Sequence, residues 1–306
     1  MAESTAEILS DEELGDAAQL ACLLEASASK PGNVSRYRDF NNTSFEDFLI
    51  SAIAIGRAIR RAQWVSVGET IWKAIYDTQR LVGSNTNLGI VLLLAPLAKA
   101  YGHGVWRKRL AKVLAELTID DARQVYQAIR LAAPGGLGQV EEGDVAEEPQ
   151  ITLGEAMALA RDRDTIAREY ATDFTVTFEL ACPTLRQYWK DKVDFSKVIV
   201  QTYLTILAEI PDTLIVRKNS PAVAEEVSQR AREAILAGGV FSSKGRRQIE
   251  ELDRFLRDET HHLNPGTTAD LVTAALFVMI AEGGLDLRSS EARLERPYRE
   301  EQLSGW

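Results

Sequence analysis

Apolar residues recur at intervals of three and four along most of the chain, and this spacing restricts the fold more than any other feature of the sequence. Around Phe45, Phe48, Leu49 and Ala52 it places one apolar stripe on a helix that ends near Arg61. The same period predicts further helices over residues 7–28, 68–82, 87–101, 105–116, 120–132, 153–181, 194–209, 222–237, 246–258 and 268–282. The sequence therefore predicts an all-α protein whose multi-helix domain spans residues 1–287.

Helix starts carry a second signal, the capping box, in which a hydroxyl residue and a carboxylate three positions later bond each other's backbone amides. Thr43 with Glu46, Ser66 with Glu69, and Thr152 with Glu155 have this spacing. The stretches 174–178 and 198–207 are rich in β-branched residues and would suit strands on propensity alone. Their neighbours have helical spacing, so we predict helices there too.

Composition narrows the classes of function. The formal charge of -10 offers no basic field for a phosphate backbone, so we expect no nucleic-acid partner. The longest apolar stretch, residues 88–98, is too short to cross a bilayer, and we expect no membrane partner. The acidic start does not resemble a signal peptide, and two cysteines, Cys22 and Cys182, are too few for a disulfide framework. We expect a cytoplasmic protein with both thiols in its core; homo-oligomerisation stays open.

Residues 133–150 form the longest interruption of the helical pattern, with four glycines, two prolines and five acids. A loop of this length in a compact domain is often functional, and its composition suits a mobile cover over a site. It also offers a boundary between two helical lobes around a central cleft. A plain surface loop is the alternative. Residues 288–306 form a charged tail that we expect to be peripheral.

Four segments break the pattern by placing polar residues beside glycine or proline at predicted helix ends. They cover residues 25–36, 83–89, 211–218 and 264–270. Free amides at helix ends and nearby charged side chains can converge on a phosphate or a metal ion. We therefore expect these segments to line one cavity.

The first two segments supply candidate phosphate ligands. Lys30 and Arg36 flank a Pro-Gly turn in which Gly32 lets the backbone approach a ligand closely. The alternative is a helix stop with solvated charges. Asn85 and Thr86 precede a very apolar helix and could bind a ligand oxygen, or cap that helix.

The last two segments supply carboxylates. Asp212 has the position of a helix cap, with Arg217 and Lys218 following it, and the pair of Asp212 and Arg217 could also be structural. Asn264 precedes the most apolar late helix, and Asp270 lies in its first turn, where an acid complements the helix dipole without any function. If both acids are buried together, Asp212 and Asp270 could hold a divalent cation.

Other polar features are assigned to the surface. His261 and His262 are adjacent and make a poor metal pair, and residues 161–164 form an alternating charge run that we expect to be solvated. The sequence contains no Walker loop and no G-x-G-x-x-G, H-E-x-x-H or G-x-S-x-G motif.

In these four segments the chain resembles the triphosphoribosyl-dephospho-coenzyme A synthase family, in motif order as well as content. Its motif of Glu, a spacer and Lys-Pro-Gly-Leu-Val-Asp is similar to Glu25 followed by residues 30–35, where Asn33 and Ser35 depart. Its Asn-Thr-His-Lys-Gly is similar to residues 85–89, and its Asp-Thr-Asn followed by Arg-Gly-Gly to residues 212–219. Its Ser-Pro-Gly-Gly-Ser-Ala-Asp-Leu is similar to residues 264–271.

The resemblance covers about residues 20–280 and implies a helical, magnesium-dependent transferase. The family moves the triphosphoribosyl group of ATP to the 2'-hydroxyl of 3'-dephospho-coenzyme A and releases adenine. By this resemblance Glu25, Asp212 and Asp270 are the candidate catalytic residues, and Asp212 and Asp270 the ligands of Mg²⁺. The candidate substrate-binding residues are Lys30, Gly32, Arg36, Asn85, Thr86, Arg217, Lys218 and Asn264.

Asn87 and Leu88 replace the family's His-Lys pair, which leaves the identity of the substrate open. One alternative is a divergent member that serves another cofactor pathway, such as that of methanofuran or tetrahydromethanopterin. Another is a non-catalytic helical protein that binds a ligand or acts as a scaffold.

Overall fold

The computed structural model describes residues 8–40, 43–135, 144–189, 194–257 and 261–283, and these residues form α-helices and no sheet. The all-α prediction is confirmed. The helices are α1 Asp11–Ser27, α2 Phe45–Arg60, α3 Val67–Leu81, α4 Leu88–Ala100, α5 Trp106–Ala115, α6 Ile119–Ala132, α7 Leu153–Ala160, α8 Thr165–Ala171, α9 Cys182–Tyr188, α10 Phe195–Glu209, α11 Thr213–Lys218, α12 Pro221–Leu236, α13 Ser243–Leu256 and α14 Gly266–Ala281. A π-helix, Val176–Ala181, precedes α9, and a short 3-10 turn, Gly239–Phe241, precedes α13.

Helix α4 and helix α14 lie at the centre because they are apolar on nearly every face. All residues of α4 except Gly89 and Lys99 are buried, and α14 packs against it and against α1. Helices that are apolar all round require a complete shell of neighbours. Pro96 is tolerated inside α4. The centre of the fold is thus a pair of helices whose first turns both contribute to the cavity described below.

Capping fixes several of the helix starts. The box of Thr152 and Glu155 is confirmed, and Ser66 accepts the amide of Glu69 at 3.1 Å. The box predicted from Thr43 lies one residue later, at Ser44 with Asp47. The shift follows from the chain entering α2 at Phe45, so that Ser44 is the last residue with extended backbone.

The helix predicted over residues 153–181 is wrong as a single element. It is interrupted at Asp164, which starts α8 as a new cap, and at Asp173 and Phe174, which have left-handed φ values of 49° and 57°. The carboxylate of buried Glu169 accepts the amides of Val176 and Thr177, so a side chain replaces the regular helical acceptors.

The remaining helix predictions agree with the structure to within a few residues, and α10 includes the whole β-branched stretch 198–207. The short helices α9 and α11 are not predicted by the apolar period. Both cysteines are free and buried, as expected. Within the described residues no helix combines the length and apolar character needed to cross a membrane. The charged tail, residues 288–306, lies outside the described residues.

Candidate active site

A cavity of about 670 Å³ opens between the first turns of α4 and α14 and the helices α6, α7 and α8. One part of its wall is polar and comes from the four segments that interrupt the helical pattern. The other part is apolar and comes mainly from α6 and α7, with Val125, Ile129, Leu153 and Met157. This volume falls in the usual range for small-molecule sites, and the mixed wall suits a ligand with charged and apolar parts.

The structure brings most of the predicted site residues onto this wall. The residues that line it are Glu25, Lys30, Asn85, Thr86, Arg217, Lys218, Asn264 and Asp270. Gly32, Arg36 and Asp212 are not among the lining residues. All four segments therefore reach one cavity, but not with every residue proposed for ligand contact.

Gly32 and Arg36 have other positions. Gly32 has a φ of 74° and donates its amide to Asp253 Oδ1 at 2.8 Å, and a Cβ there would lie 2.8 Å from the Cβ of Leu256. Glycine is thus needed for the turn and for packing on α13, not for the approach of a ligand. Arg36 is exposed beyond the turn. Neither residue lines the cavity, so the structure gives no support to their proposed role as substrate ligands, which stays a prediction.

Lys30 is on the wall, but its ammonium group is already used. Its Nζ lies 2.9 Å from Glu25 Oε1 and donates to the carbonyl oxygens of Glu25 at 2.5 Å and Ala28 at 3.1 Å. An ammonium has three donors, and all three are used here to close the end of α1, so the structure gives no support to the predicted phosphate contact of Lys30. Both side chains are almost fully buried, and the pair places the carboxylate of Glu25 at the cavity.

Asp212 is a buried structural cap rather than an open ligand. Its Oδ1 accepts the amides of Leu214 and Ile215 at 2.9 and 3.2 Å, and its Oδ2 accepts the amide and hydroxyl of Thr268, both at 2.7 Å. Burial raises the pKa of this carboxyl, and the four bonds oppose that rise. A carboxylate with four protein donors that does not reach the cavity does not suit catalysis or metal binding. The alternative reading, a cap, is the one the structure supports.

Asp270 lies in α14, two residues after Thr268, and its environment is the opposite of that of Asp212. Its side chain lines the cavity and has no hydrogen-bond partner among the described residues. Burial raises its pKa well above the ordinary value, and the charges of Glu25, Asp212 and Asp164 raise it further, whereas Arg217 lowers it. An acid that is half-buried, without a hydrogen-bond partner among the described residues and open to a cavity has the properties expected of a functional group.

Gly89 makes room for this carboxylate. A Cβ at Gly89 would lie 2.7 Å from Asp270 Cγ and 2.7 Å from Ile166 Cδ1, closer than side-chain carbons approach. Asp270 therefore rests against the first turn of α4. The glycine of the Asn-Thr-Asn-Leu-Gly segment is required here for the close approach of a side chain, which the sequence alone does not show.

Several residues that line the cavity with Asp270 carry polar atoms without partners. Ser84 Oγ, Arg217 Nε and Asn264 Oδ1 are buried atoms of lining residues, and none has a hydrogen-bond partner in the described part of the chain. The amides of Gly89, Ile90 and Thr267, in the first turns of α4 and α14, also have no acceptor there. Buried polar groups in native proteins are normally bonded, so a cluster of open ones indicates a ligand site.

The start of α4 is fixed by hydrogen bonds of residues 85–87, which directly precede the helix. Asn85 Oδ1 accepts the amide of Leu88 at 3.2 Å, as in the capping alternative, although the rest of Asn85 is exposed at the cavity. The hydroxyl of Thr86 bonds that of Ser51 at 2.5 Å, and Asn87 Nδ2 donates to Thr78 Oγ1 at 3.0 Å. Thr86 and Asn87 are thus buried and fixed by α2 and α3.

Asp212 and Asp270, the two predicted ligands of Mg²⁺, differ in whether their carboxylates are available to a metal ion. Asp212 and Asp270 are near enough for the charge of one to affect the pKa of the other, but the carboxylate of Asp212 is occupied by its four donors. Among the described residues no group of three or more His, Cys, Asp or Glu side chains has the arrangement of a metal site. The predicted two-carboxylate Mg²⁺ site therefore does not fit these residues.

Comparison with known proteins assigns the whole helical domain to one family. The model of the family described as CitG, ATP:dephospho-CoA triphosphoribosyl transferase, matches residues 11–289. The chain belongs to this family. The match includes all four segments that reach the cavity.

Individual relatives are distant. The 2-(5''-triphosphoribosyl)-3'-dephosphocoenzyme-A synthase of Klebsiella pneumoniae is 25% identical over 202 residues, 66% of this chain and 63% of that protein. A Pseudomonas putida protein assigned to the same enzyme is 39% identical over 77 residues, 24% of this chain and 26% of its own. The chain thus spans less than two thirds of the length of these curated relatives. A crystal structure from Archaeoglobus fulgidus, described as a candidate triphosphoribosyl-dephospho-coA synthase, has a TM-score of 0.60 and 26% identity and covers 77% of this chain and 99% of its own.

Three residues that line the cavity, Arg163, Asp164 and His261, were assigned to the surface by the sequence. Arg163 is exposed, as expected, but Asp164 and His261 are half-buried, so the prediction is wrong for these two. Asp164 lines the cavity and binds Arg217, and His261 lines it and stacks on Phe40 with ring centroids 4.2 Å apart. An Asp directly before an apolar run is a cap signal that marked Asp164 as more than a solvated charge. No local signal marked His261, because its position depends on Phe40, which is distant in sequence.

The loop predicted as a cover reaches the cavity from both of its ends. Ala133, Pro134 and Gly135 line it on one side, and Asp144 and Val145 on the other. Residues 136–143 lie outside the described residues. The closing role of this loop on ligand binding stays a prediction.

Proposed function

We propose that this protein transfers the triphosphoribosyl group of ATP to the 2'-hydroxyl of 3'-dephospho-coenzyme A and releases adenine. The observation that carries the proposal is the polar half of the cavity. There the open carboxylate of Asp270 lines the same cavity as Arg217, Asn264 and Ser84, whose Nε, Oδ1 and Oγ atoms have no partner among the described residues. Membership of the CitG family supplies the reaction that such a site would perform.

The triphosphate would bind at the first turns of α4 and α14. These helices have 13 and 16 residues, and neither is capped by the side chain of its own cap residue. The open amides of Gly89, Ile90 and Thr267 and the positive ends of both helix dipoles favour an anion there. Arg217 and Lys218 line the same cavity and add positive charge.

The apolar half would receive an adenine ring, which both substrates contain. Its walls come from α6 and α7, two helices that contribute none of the family's four motifs. Val125, Ile129, Leu153 and Met157 offer dispersion contacts and little hydrogen bonding. Placing the base there would leave the ribose between the apolar wall and the phosphate site, near Asp270.

The reaction breaks the bond between ribose C1' and N9 of adenine and forms a bond from C1' to the acceptor 2'-oxygen. The proton of the acceptor hydroxyl must leave, and the departing adenine must gain one. We assign Asp270 as the general base for the hydroxyl, since its raised pKa makes its carboxylate a stronger base than an ordinary aspartate. The nearby carboxylate of Glu25 would stabilise positive charge that develops at C1'.

Mg²⁺ is proposed only as an ion that arrives with the triphosphate. Mg²⁺ usually keeps several waters and binds substrate phosphates with few protein ligands, so it does not require a cluster of protein carboxylates. When bound it would offset phosphate charge. We also place the reaction in the cytoplasm, where ATP is made and where buried free thiols such as Cys22 stay reduced.

The identity of the acceptor is the part of the proposal that the sequence constrains least. Asn87 and Leu88 stand where the family has His and Lys, and both line the cavity. Their replacement removes two groups able to bind phosphate, so an acceptor from another cofactor pathway is the second candidate. A pure scaffold would not require the four segments to meet at open polar groups.

The direct test is turnover with ATP and 3'-dephospho-coenzyme A in the presence of Mg²⁺, followed by mass spectrometry. We expect free adenine and an acceptor enlarged by one triphosphoribosyl group. Adenine that appears only with a different phosphorylated acceptor would support the second candidate. Tight binding of ATP without any adenine release, with all acceptors of the panel, would contradict catalysis and favour a binding protein.

A further inference from the structure

Asp164 uses its two carboxylate oxygens for two different purposes. Oδ1 accepts the amides of Ile166 at 2.8 Å and Ala167 at 3.1 Å and so caps α8. Oδ2 accepts Nη1 of Arg217, which belongs to α11, at 3.2 Å. Because Asp164 and Arg217 both line the cavity, this second bond crosses between two helices at the site itself.

Arg217 has donors left over after this contact. A guanidinium has five N–H groups in a fixed plane, and in the described part of the chain only Nη1 has a partner. Nε is buried and unbonded. The edge formed by Nε and Nη2 is the one that binds two oxygens of a phosphate or carboxylate in parallel.

Stability alone does not account for the pair. Its side chains are 27% and 26% exposed, and ion pairs with this exposure contribute little to folding. An aspartate would also cap α8 without Arg217. The pair does restrict the rotation of Arg217, because one nitrogen of its planar guanidinium group is hydrogen-bonded to Asp164.

We propose that Asp164 is a positioning residue that holds Arg217 with its Nε edge toward a phosphate group of the substrate. It touches no reacting atom. Its negative charge also partly neutralises Arg217 before substrate enters, and it is one of the charges that raise the pKa of Asp270. The inference rests on the proposed function to the extent that the ligand is a polyphosphate.

The two roles of Asp164 can be separated by substitution. Asp164→Asn keeps a side-chain oxygen for the cap of α8, but its amide group cannot accept Arg217 and repels it. Asp164→Ala removes both the cap and the ion pair. Asp162→Asn is the matched control, because Asp162 is 95% exposed and its recorded partner is Arg161 at 3.8 Å.

The measurement is the affinity for inorganic triphosphate and for ATP by calorimetry, together with melting temperature. We expect Asp164→Asn to weaken both affinities about 10-fold and to keep the melting temperature within roughly 2 °C of the parent, while Asp162→Asn changes neither. In an Arg217→Ala background, Asp164→Asn should have no further effect on affinity. With ATP and acceptor, the loss should appear mainly in KM.

Three results would overturn the proposal. One is parental affinity in Asp164→Asn, another is an equal loss in the presence and absence of Arg217, and the third is failure of the parent protein to bind inorganic triphosphate. Failure of the proposed function looks different. There the parent binds inorganic triphosphate, and Asp164→Asn weakens that binding, but ATP and 3'-dephospho-coenzyme A give no adenine.

Discussion

Two aspartates, each near the start of a different helix, show how differently the same residue type is used in this protein. Asp212 caps α11 and accepts four hydrogen bonds, including two from Thr268 of α14. Asp270 lies in the next turn of α14, accepts none from the described residues and faces the cavity. Burial raises the pKa of both, but further above the ordinary value at Asp270. The number of hydrogen-bond donors and access to the cavity together separate the structural acid from the functional one.

The largest effect is expected at Asp270. Asp270→Asn keeps the shape of the side chain but removes the base and the negative charge, so turnover should fall about 100- to 1000-fold. The melting temperature should stay or rise, because the variant no longer places a charge near Glu25, Asp212 and Asp164. Steady-state kinetics and thermal unfolding check both parts. Parental turnover in this variant would remove Asp270 from the mechanism.

The pKa of Asp270 predicts a pH dependence of stability with a definite sign. In the unfolded chain its pKa is about 3.9, and in the folded protein it is well above that. Between the two values the folded state binds more protons, so this group lowers the free energy of unfolding as pH rises from about 4. Asp270→Asn lacks this term. Urea unfolding at several pH values should therefore show its stability advantage over the parent growing with pH, and a constant difference would contradict the assignment.

Asp212 should give the reverse pattern. Asp212→Ala leaves the amides of Leu214, Ile215 and Thr268 and one hydroxyl without an acceptor in a buried place. We expect a loss of about 2–4 kcal/mol in the free energy of unfolding, or roughly 3–6 °C in melting temperature for a chain of this length. Activity per folded molecule should change much less than in Asp270→Asn. A variant with parental stability that loses Mg²⁺-dependent binding of ATP would restore the metal-ligand interpretation.

Gly89 tests whether Asp270 must occupy its present position. In Gly89→Ala the new Cβ would overlap the Asp270 carboxylate and Ile166, so the acid must move or the helices must separate. We expect roughly 10- to 100-fold lower turnover and about 1–3 kcal/mol lower stability. Gly154→Ala in α7 is the control, since the nearest atom to its Cβ would be 3.5 Å away. Similar losses in both variants would show a general helix effect.

The contrast between the two acids also marks the limit of what the sequence could predict. The apolar period was enough for most helices, because it reports which faces are buried. It did not separate Asp212 from Asp270, since both are acids near a helix start that follows glycine or proline. Their difference comes from Thr268 and Gly89, which approach from other segments. Local sequence carries no information about such tertiary donors and contacts.

The same limit applies to Asp164 and His261. Asp164 belongs to a run of alternating charges, and only its contact with Arg217, 53 positions away, distinguishes it from exposed Asp162. His261 depends on Phe40, which lies more than 200 residues before it. The resemblance to the family located the four segments correctly, but it could not say which residue of each segment reaches the ligand.

The smallest effect is expected from Thr268→Val, which alters the donors of Asp212 without altering Asp270. The substitution keeps the volume of the side chain and removes one of the two bonds to Asp212 Oδ2, while the amide bond at 2.7 Å remains. We expect a loss of about 1–2 kcal/mol in the free energy of unfolding and parental turnover. Thr273→Val in the same helix is the control, since that hydroxyl donates to the carbonyl of Ala269 at 3.2 Å and not to a charge. In an Asp212→Ala background Thr268→Val should cost nothing more or even recover stability, because the hydroxyl then has no acceptor. If Thr268→Val reduced turnover as strongly as Asp270→Asn, the separation between the structural acid and the functional acid would fail.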